Sequence, residues 1–193
     1  MQERLGGKKA RASTPDDLPA TSEVTRPAHF ILGVDPSLRG TGYGIIRVGE
    51  GEPGIVTHGT IVCPKNWARS RCLAHISSTL RALLREYQPQ VCVVEGLFFA
   101  QNLKTALIMG EARGAAMATI AEAGLDIYEI SPRKVKQAIV GYGAAQKLAV
   151  AKMIQRMLNL ADQPAPDAAD ALALALTHAN TQRRFSLIPP KKI

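Results

Sequence analysis

The sequence predicts an α/β domain built on a mixed sheet, and three observations carry that expectation. In the first third, short β-branched runs are separated by Gly- and Pro-containing turns, which is the pattern of antiparallel hairpin strands. Further on, apolar runs alternate with stretches whose apolar residues recur every three or four positions, which is the pattern of strand–helix crossovers and parallel pairing. The length, 193 residues, is that of one ordinary domain with a sizeable core. The expected architecture is a mixed five-stranded sheet, three strands antiparallel and two more beyond them, with helices on both faces.

Residues 1–27 mix Arg, Lys, Ser, Thr, Pro, Asp and Gly without periodicity and are expected to form a disordered N-terminal extension. The first strand is FILGV at 30–34, ending at Asp35-Pro36, and TGYGIIRV at 41–48 follows after a turn. A third strand near 55–63 alternates Ile55, Thr57, Gly59 and Ile61 and is closed by Pro64. Between 68 and 87, Leu73, Ile76, Leu80, Leu83, Leu84 and Tyr87 make one apolar helix face, which Pro89 stops. VCVVE at 91–95 is apolar until its last residue, the pattern of a central strand buried on both faces with Glu95 at its C-terminal end. An Ala- and Gly-rich helix near 105–123, a strand near 126–130, and helices near 133–140, 146–160 and 168–179 complete the domain over 28–181. Residues 182–193, with Arg183, Arg184, Lys191 and Lys192, are expected to be a flexible basic tail.

Composition narrows the function. The 24 Lys and Arg against 16 Asp and Glu give a net charge of +8, which favours a polyanionic partner. No apolar run approaches the roughly 18–20 residues of a spanning helix, and the N-terminus lacks a signal-peptide apolar block, so an unexported protein of the cytoplasm is expected. Cys63, Cys72 and Cys92 are odd in number and lie in apolar sequence, which suits reduced thiols rather than disulfides or zinc. His29, His58, His75 and His178 lack ligand spacing with one another. The GTGYG run at 40–44 matches neither a Walker A loop nor a dinucleotide fingerprint, and a tight hairpin accounts for it.

Four acids stand out because each falls where an apolar element begins or ends: Asp35, Glu95, Asp167 and Asp170. A carboxylate beside a buried element costs desolvation energy unless hydrogen bonds or a cation compensate it. Asp167 and Asp170, spaced i, i+3 in PDAADALALAL, share one face of the start of a helix. If the four converge, each pair about 4 Å apart repels by roughly 4 kcal/mol at an effective dielectric near 20, and two divalent cations would cancel the charge. Oxygen-only ligands favour Mg²⁺ or Mn²⁺, and two such ions activate a water and stabilise a leaving oxygen. Read singly, Asp167 also suits a helix N-cap, Asp170 the helix dipole, and Asp35 before Pro36 an Asx-type turn. Glu95, at the end of a doubly buried strand, resists a purely structural explanation.

Between 130 and 161 no acidic residue interrupts Arg133, Lys134, Lys136, Lys147, Lys152 and Arg156, a basic flank suited to a phosphate backbone or, alternatively, a solvated helical face. Phe98 and Phe99 follow Glu95, where exposed rings stack on bases and buried ones fill core. Gly110 and Gly114 suit close helix packing, either at a dimer contact or, as favoured here, against the sheet.

Four blocks in register, ILGVDPSLRGTGYGII, VVEGLFFAQN, KVKQAIVGYGAAQK and PAPDAADALALALTH, resemble the RuvC family of crossover junction endodeoxyribonucleases over about residues 28–181. The resemblance implies a ribonuclease H-like three-layer α/β/α fold, a homodimer, and resolution of Holliday junctions in bacterial recombination. It implies a Mg²⁺-dependent quartet at Asp35, Glu95, Asp167 and Asp170, and the RuvA and RuvB branch-migration proteins as partners. It also singles out Lys136 and Lys147 as DNA contacts, with Arg133 beside them, and gives Phe98 the stacking role. The chain departs from the family pattern at Gly96, where members often carry Gln, and in its N-terminal extension. Other readings of the same residues are a noncatalytic junction or duplex binder, an actin-like ATPase relative, which would need a second domain, and a nuclease acting on RNA.

Overall fold

In the computed structural model, residues 28–96, 102–183 and 190–193 are described. The expectations for residues 1–27 and for Phe98 and Phe99 lie outside them. Three strands, β1 (His29–Asp35), β2 (Gly40–Val48) and β3 (Gly54–Val62), form an antiparallel meander. Helix α1 (Arg69–Tyr87) leads to β4 (Val91–Glu95), and α2 (Leu103–Glu122) leads to β5 (Asp126–Ile130); both crossovers produce parallel pairs, β1 with β4 and β4 with β5. Helices α3 (Pro132–Val140), α4 (Lys147–Met157) and α5 (Pro166–Arg183) follow. A two-residue strand, β6 (Lys191–Lys192), pairs antiparallel with β5 at the sheet edge. The sheet therefore has six strands, in the order 3-2-1-4-5-6, rather than the expected five. The extra strand comes from the segment expected to be a flexible tail. Lys192 is held there by an ion pair to Asp126 at 2.7 Å, a contact between residues far apart in sequence.

Strand parity divides the core into two. Leu32 and Val34 of β1, Ile45 of β2, and Cys92 and Val94 of β4 pack with Cys72, Ile76 and Leu80 of α1 and Ala112, Ala116 and Ile120 of α2. Ile31, Ile46 and Val93 face the other way, onto α3, α4 and α5. Because side chains alternate along a strand, Asp35 and Glu95, in phase with Ile31 and Val93, fall on the α5 side. β4 lies between two parallel neighbours with Cys92, Val93 and Val94 fully buried, as its unbroken apolar run requires.

Helix α5 is buried along most of its length, from Ala168 to Ala179, and its many alanines have little side chain to hold it off the sheet. The surface beneath it is made of glycine. A Cβ on Gly33 would come within 1.9 Å of the Ala171 carbonyl oxygen, and one on Gly42 within 1.9 Å of the Asp167 carbonyl oxygen. Gly44, paired with Gly33 across β1 and β2, would meet the Leu172 side chain at 2.6 Å. The hairpin expected of 40–44 is corrected here: the turn is residues 36–39, and Gly40, Gly42 and Gly44 lie within β2 as one face of a trough that seats the helix backbone. Glycine in a strand at a close backbone approach has this physical meaning.

Capping follows local chemistry. Ser131 accepts from the Lys134 N–H at 3.3 Å and Pro132 opens α3, which ends on Gly141 at φ 97°. Asn102 caps α2 by accepting from the Thr105 N–H at 2.9 Å. The three described cysteines are free and buried. His178 is packed under Tyr128, their ring centroids 4.6 Å apart, and burial pushes its imidazole down to about 4.

Candidate active site

Two strand ends and one helix start bring the acids together. β1 and β4 are parallel neighbours whose pairing runs to Val34 opposite Val94, so Asp35 and Glu95 stand side by side one residue further on. The glycine trough sets the start of α5 across that same end: Asp35 pairs with Gly42, and Gly42 lies against the backbone of Asp167. A Cβ on Gly40 would come within 2.8 Å of Asp167 Oδ2. Asp167 is the second residue of α5 rather than a residue preceding it, and Asp170 is the fifth, one turn on along the same face.

The electrostatics record the convergence. Burial pushes Asp35 up to about 6, helped by the charges of Asp170 and Asp167 and opposed by Lys147. Burial likewise pushes Glu95 up to about 7, helped by Asp35 and Asp170 and opposed by Lys147 and Arg113. These carboxyls are crowded, desolvated and short of positive charge. The Lys147 ammonium answers part of the need: it bonds to Asp170 at 2.7 Å, and that hydrogen bond, with the charges of Asp170, Asp35 and Glu95, pushes its own value up against the effect of burial. As the side chains stand, no three His, Cys, Asp or Glu among the described residues converge on one metal position. The donor set nevertheless suits a hard divalent cation, being all carboxylate oxygen with an unmet demand for positive charge at its centre.

These shifts have a consequence for stability. A carboxyl whose folded value lies above its unfolded one stabilises the fold below the unfolded value, and that contribution is lost as pH rises through the folded value. In EDTA the protein is therefore expected to lose stability from about pH 4 to about pH 7, by roughly 2 kcal/mol per group after partial screening. Thermal melts at pH 5 and 8 check this. Asp35→Asn should melt higher than the parent at pH 8 without metal, and an unchanged or lower Tm would contradict the crowding.

The basic residues divide. Lys136 and Lys147 line a cleft of about 260 Å³ together with Glu95, Asp170, Val135 and Leu174, so both flank the acids. Arg133 sits on the exposed side of α3, its side chain against Gly143, and does not line that cleft. A larger cavity of about 480 Å³, between the C-terminal ends of α1 and α2, lies at the opposite end of the sheet and contains none of the four acids. Two contributors were not singled out in the sequence. Arg113 of α2 donates to the Glu95 carbonyl oxygen and to the Glu129 carboxylate, and the glycines of the trough set the height of α5. A lone Arg in an Ala-rich helix carries no distinguishing signal; the i, i+2, i+4 glycines at 40, 42 and 44 did carry one.

Two acids at the C-terminal ends of adjacent parallel strands thus lie beside the acid-bearing start of α5, with Lys136 and Lys147 flanking them, on a mixed α/β sheet. The family model described as crossover junction endodeoxyribonuclease RuvC matches residues 31–178. Crossover junction endodeoxyribonuclease RuvC of Syntrophomonas wolfei is 43% identical over 159 residues, covering 82% of this chain and 92% of that protein. The protein of the same name from Teredinibacter turnerae is 44% identical over 160 residues, covering 81% and 90%. Among solved structures, T. thermophilus RuvC in complex with Holliday junction substrate superposes with a TM-score of 0.78 at 30% identity, covering 86% of this chain and 99% of that one. The chain belongs to the RuvC family of crossover junction endodeoxyribonucleases, hydrolases that resolve Holliday junctions in recombination and repair, and it has their ribonuclease H-like fold. Nucleases of this family are metal-dependent.

Proposed function

We propose that the chain works as a homodimer that nicks four-way DNA junctions symmetrically, with Asp35, Glu95, Asp167 and Asp170 holding two Mg²⁺ ions, Mn²⁺ serving as a substitute. The observation that carries this reading is that half-buried Asp35 and Glu95, at adjacent strand ends, are each pushed up in part by the charge of Asp170 at the start of α5. Bound there, divalent ions would supply a reactive water and charge stabilisation for the leaving oxygen. The protein's own residues do the rest. The trough under α5 seats the backbone of Asp167 and Ala171 close against β1 and β2, so the helix start that carries Asp167 and Asp170 is held over the strand ends that carry Asp35 and Glu95. Lys147, bonded to Asp170 in the free protein, is available to a phosphate oxygen, and Lys136 lies along the same cleft. Arg133, Phe98 and Phe99 remain part of the proposed DNA surface, with Phe98 as the stacking ring.

The dimer is supported by the outer face of α2. Leu103 and Leu107 are 76% and 58% exposed there, and Gly110 and Gly114 have nothing within 4 Å of an added Cβ. The expectation that these glycines pack on the sheet is thereby corrected: they face outward, and a stripe of exposed leucine and glycine suits an isologous helix pair. Two identical sites related by a two-fold axis fit paired nicks in strands of like polarity. Leu107→Glu is expected to sediment as a monomer and to lose paired cleavage, and a dimeric Leu107→Glu would remove α2 from the interface.

No helix among the described residues is long and apolar enough to cross a membrane. The bacterial relatives and the free buried thiols support a cytoplasmic enzyme, and the family resemblance alone suggests the RuvA and RuvB branch-migration proteins as its partners. A synthetic four-way junction incubated with Mg²⁺ or EDTA, with both nicks mapped, tests the reaction. Symmetric cuts with Mg²⁺ alone are expected; cutting in EDTA, or equal cutting of RNA or linear duplex, would refute the proposal.

A further inference from the structure

The guanidinium of Arg113 is buried, the residue only 9% exposed, on the α1 and α2 side of the sheet, opposite the acids. A buried guanidinium is costly unless paired and hydrogen-bonded, so its partners reveal its task. Nη2 meets Glu129 Oε2 at 2.5 Å, and Nη1 donates to the backbone carbonyl oxygen of Glu95. Glu129 belongs to β5, and its parity places it on the α2 side, in phase with Ile127. The ladder from β4 to β1 stops at Val34 and Val94, one residue before Glu95. On the β5 side Glu95 pairs with Ile130, and the Gly96 N–H donates to the Ile130 carbonyl at 2.9 Å. The strand end carrying Glu95 is thus held by β5 and by Arg113.

We propose that Arg113 is a positioning residue: braced by Glu129, it fixes the backbone of Glu95 from behind the sheet so that the carboxylate in front is held at ligating position. The inference rests on the reading of Glu95 as a metal ligand. A flexible lysine, with one ammonium in place of a planar fork, reproduces the charge but not the paired contacts.

The test uses the full chain and reads Mn²⁺ binding to the free protein by electron paramagnetic resonance, alongside the Mg²⁺ concentration for half-maximal junction cleavage and junction affinity in EDTA. Arg113→Met is expected to weaken Mn²⁺ binding about 10- to 100-fold, the scale found for groups that orient metal ligands, and to raise the Mg²⁺ requirement in proportion. Junction affinity in EDTA should stay at the parent value. Arg113→Lys should recover part of the loss, and Glu129→Gln, which leaves the carbonyl contact in place, should fall between. Parent-like Mn²⁺ affinity in Arg113→Met overturns the proposal even if the Tm falls, because a merely structural role lowers stability without touching affinity. Should Arg113→Met fail to fold, parent-like Mn²⁺ affinity in both Arg113→Lys and Glu129→Gln overturns it equally. Glu95→Gln separates the two levels: if it binds Mn²⁺ and cleaves normally, the ligand assignment itself is wrong. If it is inactive while the Arg113 variants bind normally, only the positioning role falls.

Discussion

Asp35→Asn, Glu95→Gln and Asp170→Asn are each expected to lower Mg²⁺-dependent junction cleavage by about a hundred- to a thousandfold, the scale on which one preorganised charge-stabilising group acts. Junction binding should persist. For Asp35 and Glu95 the physical reason is that ionisation gains nothing for the fold: burial and the neighbouring negative charges hold both above the usual carboxylate range. An amide of nearly the same shape removes that repulsion and leaves the packing intact, while taking away one of the four negative charges proposed to hold the metal. Single-turnover cleavage paired with gel-shift binding in EDTA separates the two effects. Parent rates from any of the three in Mg²⁺ would end the catalytic assignment, and lost binding together with lost cleavage would point to damaged structure. Asp170→Asn carries one extra consequence, since it weakens the hold on Lys147, whose ammonium bonds to Asp170 at 2.7 Å. Its junction affinity in EDTA is therefore expected to equal or exceed that of the parent.

Gly42→Ala is expected to be, with Gly33→Ala, among the most damaging single-methyl additions at the described glycines. The added Cβ would stand 1.9 Å from the Asp167 carbonyl oxygen and 2.4 Å from its carbon, both backbone atoms that no side-chain rotation can move aside. The helix must lift or tilt, separating Ala168, Ala171 and Leu172 from the sheet and carrying Asp167 and Asp170 away from Asp35 and Glu95. Overpacking of this kind costs about 3 kcal/mol, which for a domain of this size lowers the Tm by about 10 °C. Cleavage should fall further than the loss of folded protein accounts for, because ligand geometry is disturbed in whatever remains folded. Gly54→Ala is the control: its Cβ would meet only the end of the Arg47 side chain, at 3.7 Å. A Gly42→Ala protein as stable and active as Gly54→Ala would show that α5 does not ride on the trough.

The order of elements was legible because each has a local signature. The unbroken VCVV run, the 3.6-residue apolar rhythm of 68–87 and the proline after it act over a few residues, and they give β4 and α1 nearly at their observed bounds. The acids were legible for a related reason: a carboxylate at the edge of an apolar run is an energetic oddity visible in one dimension. What misled was the meaning of small residues. Gly40, Gly42 and Gly44 look like a turn because glycine suits turns, and Gly110 and Gly114 look like packing onto a sheet. Whether a missing Cβ meets a backbone or open space depends on a partner remote in the chain.

The chain alone therefore determined which residues are unusual: the four acids at the edges of apolar elements and the lysines before the last helix. Tertiary structure alone decided how they combine. It set Asp35 beside Glu95 through the parallel register of β1 and β4, turned both toward α5, and joined Arg113 to Glu95 and Lys192 to Asp126. The reason is that burial, repulsion and ion pairing act through distance in space, and strand register, the quantity that fixes those distances here, is a property of two segments and is written in neither one.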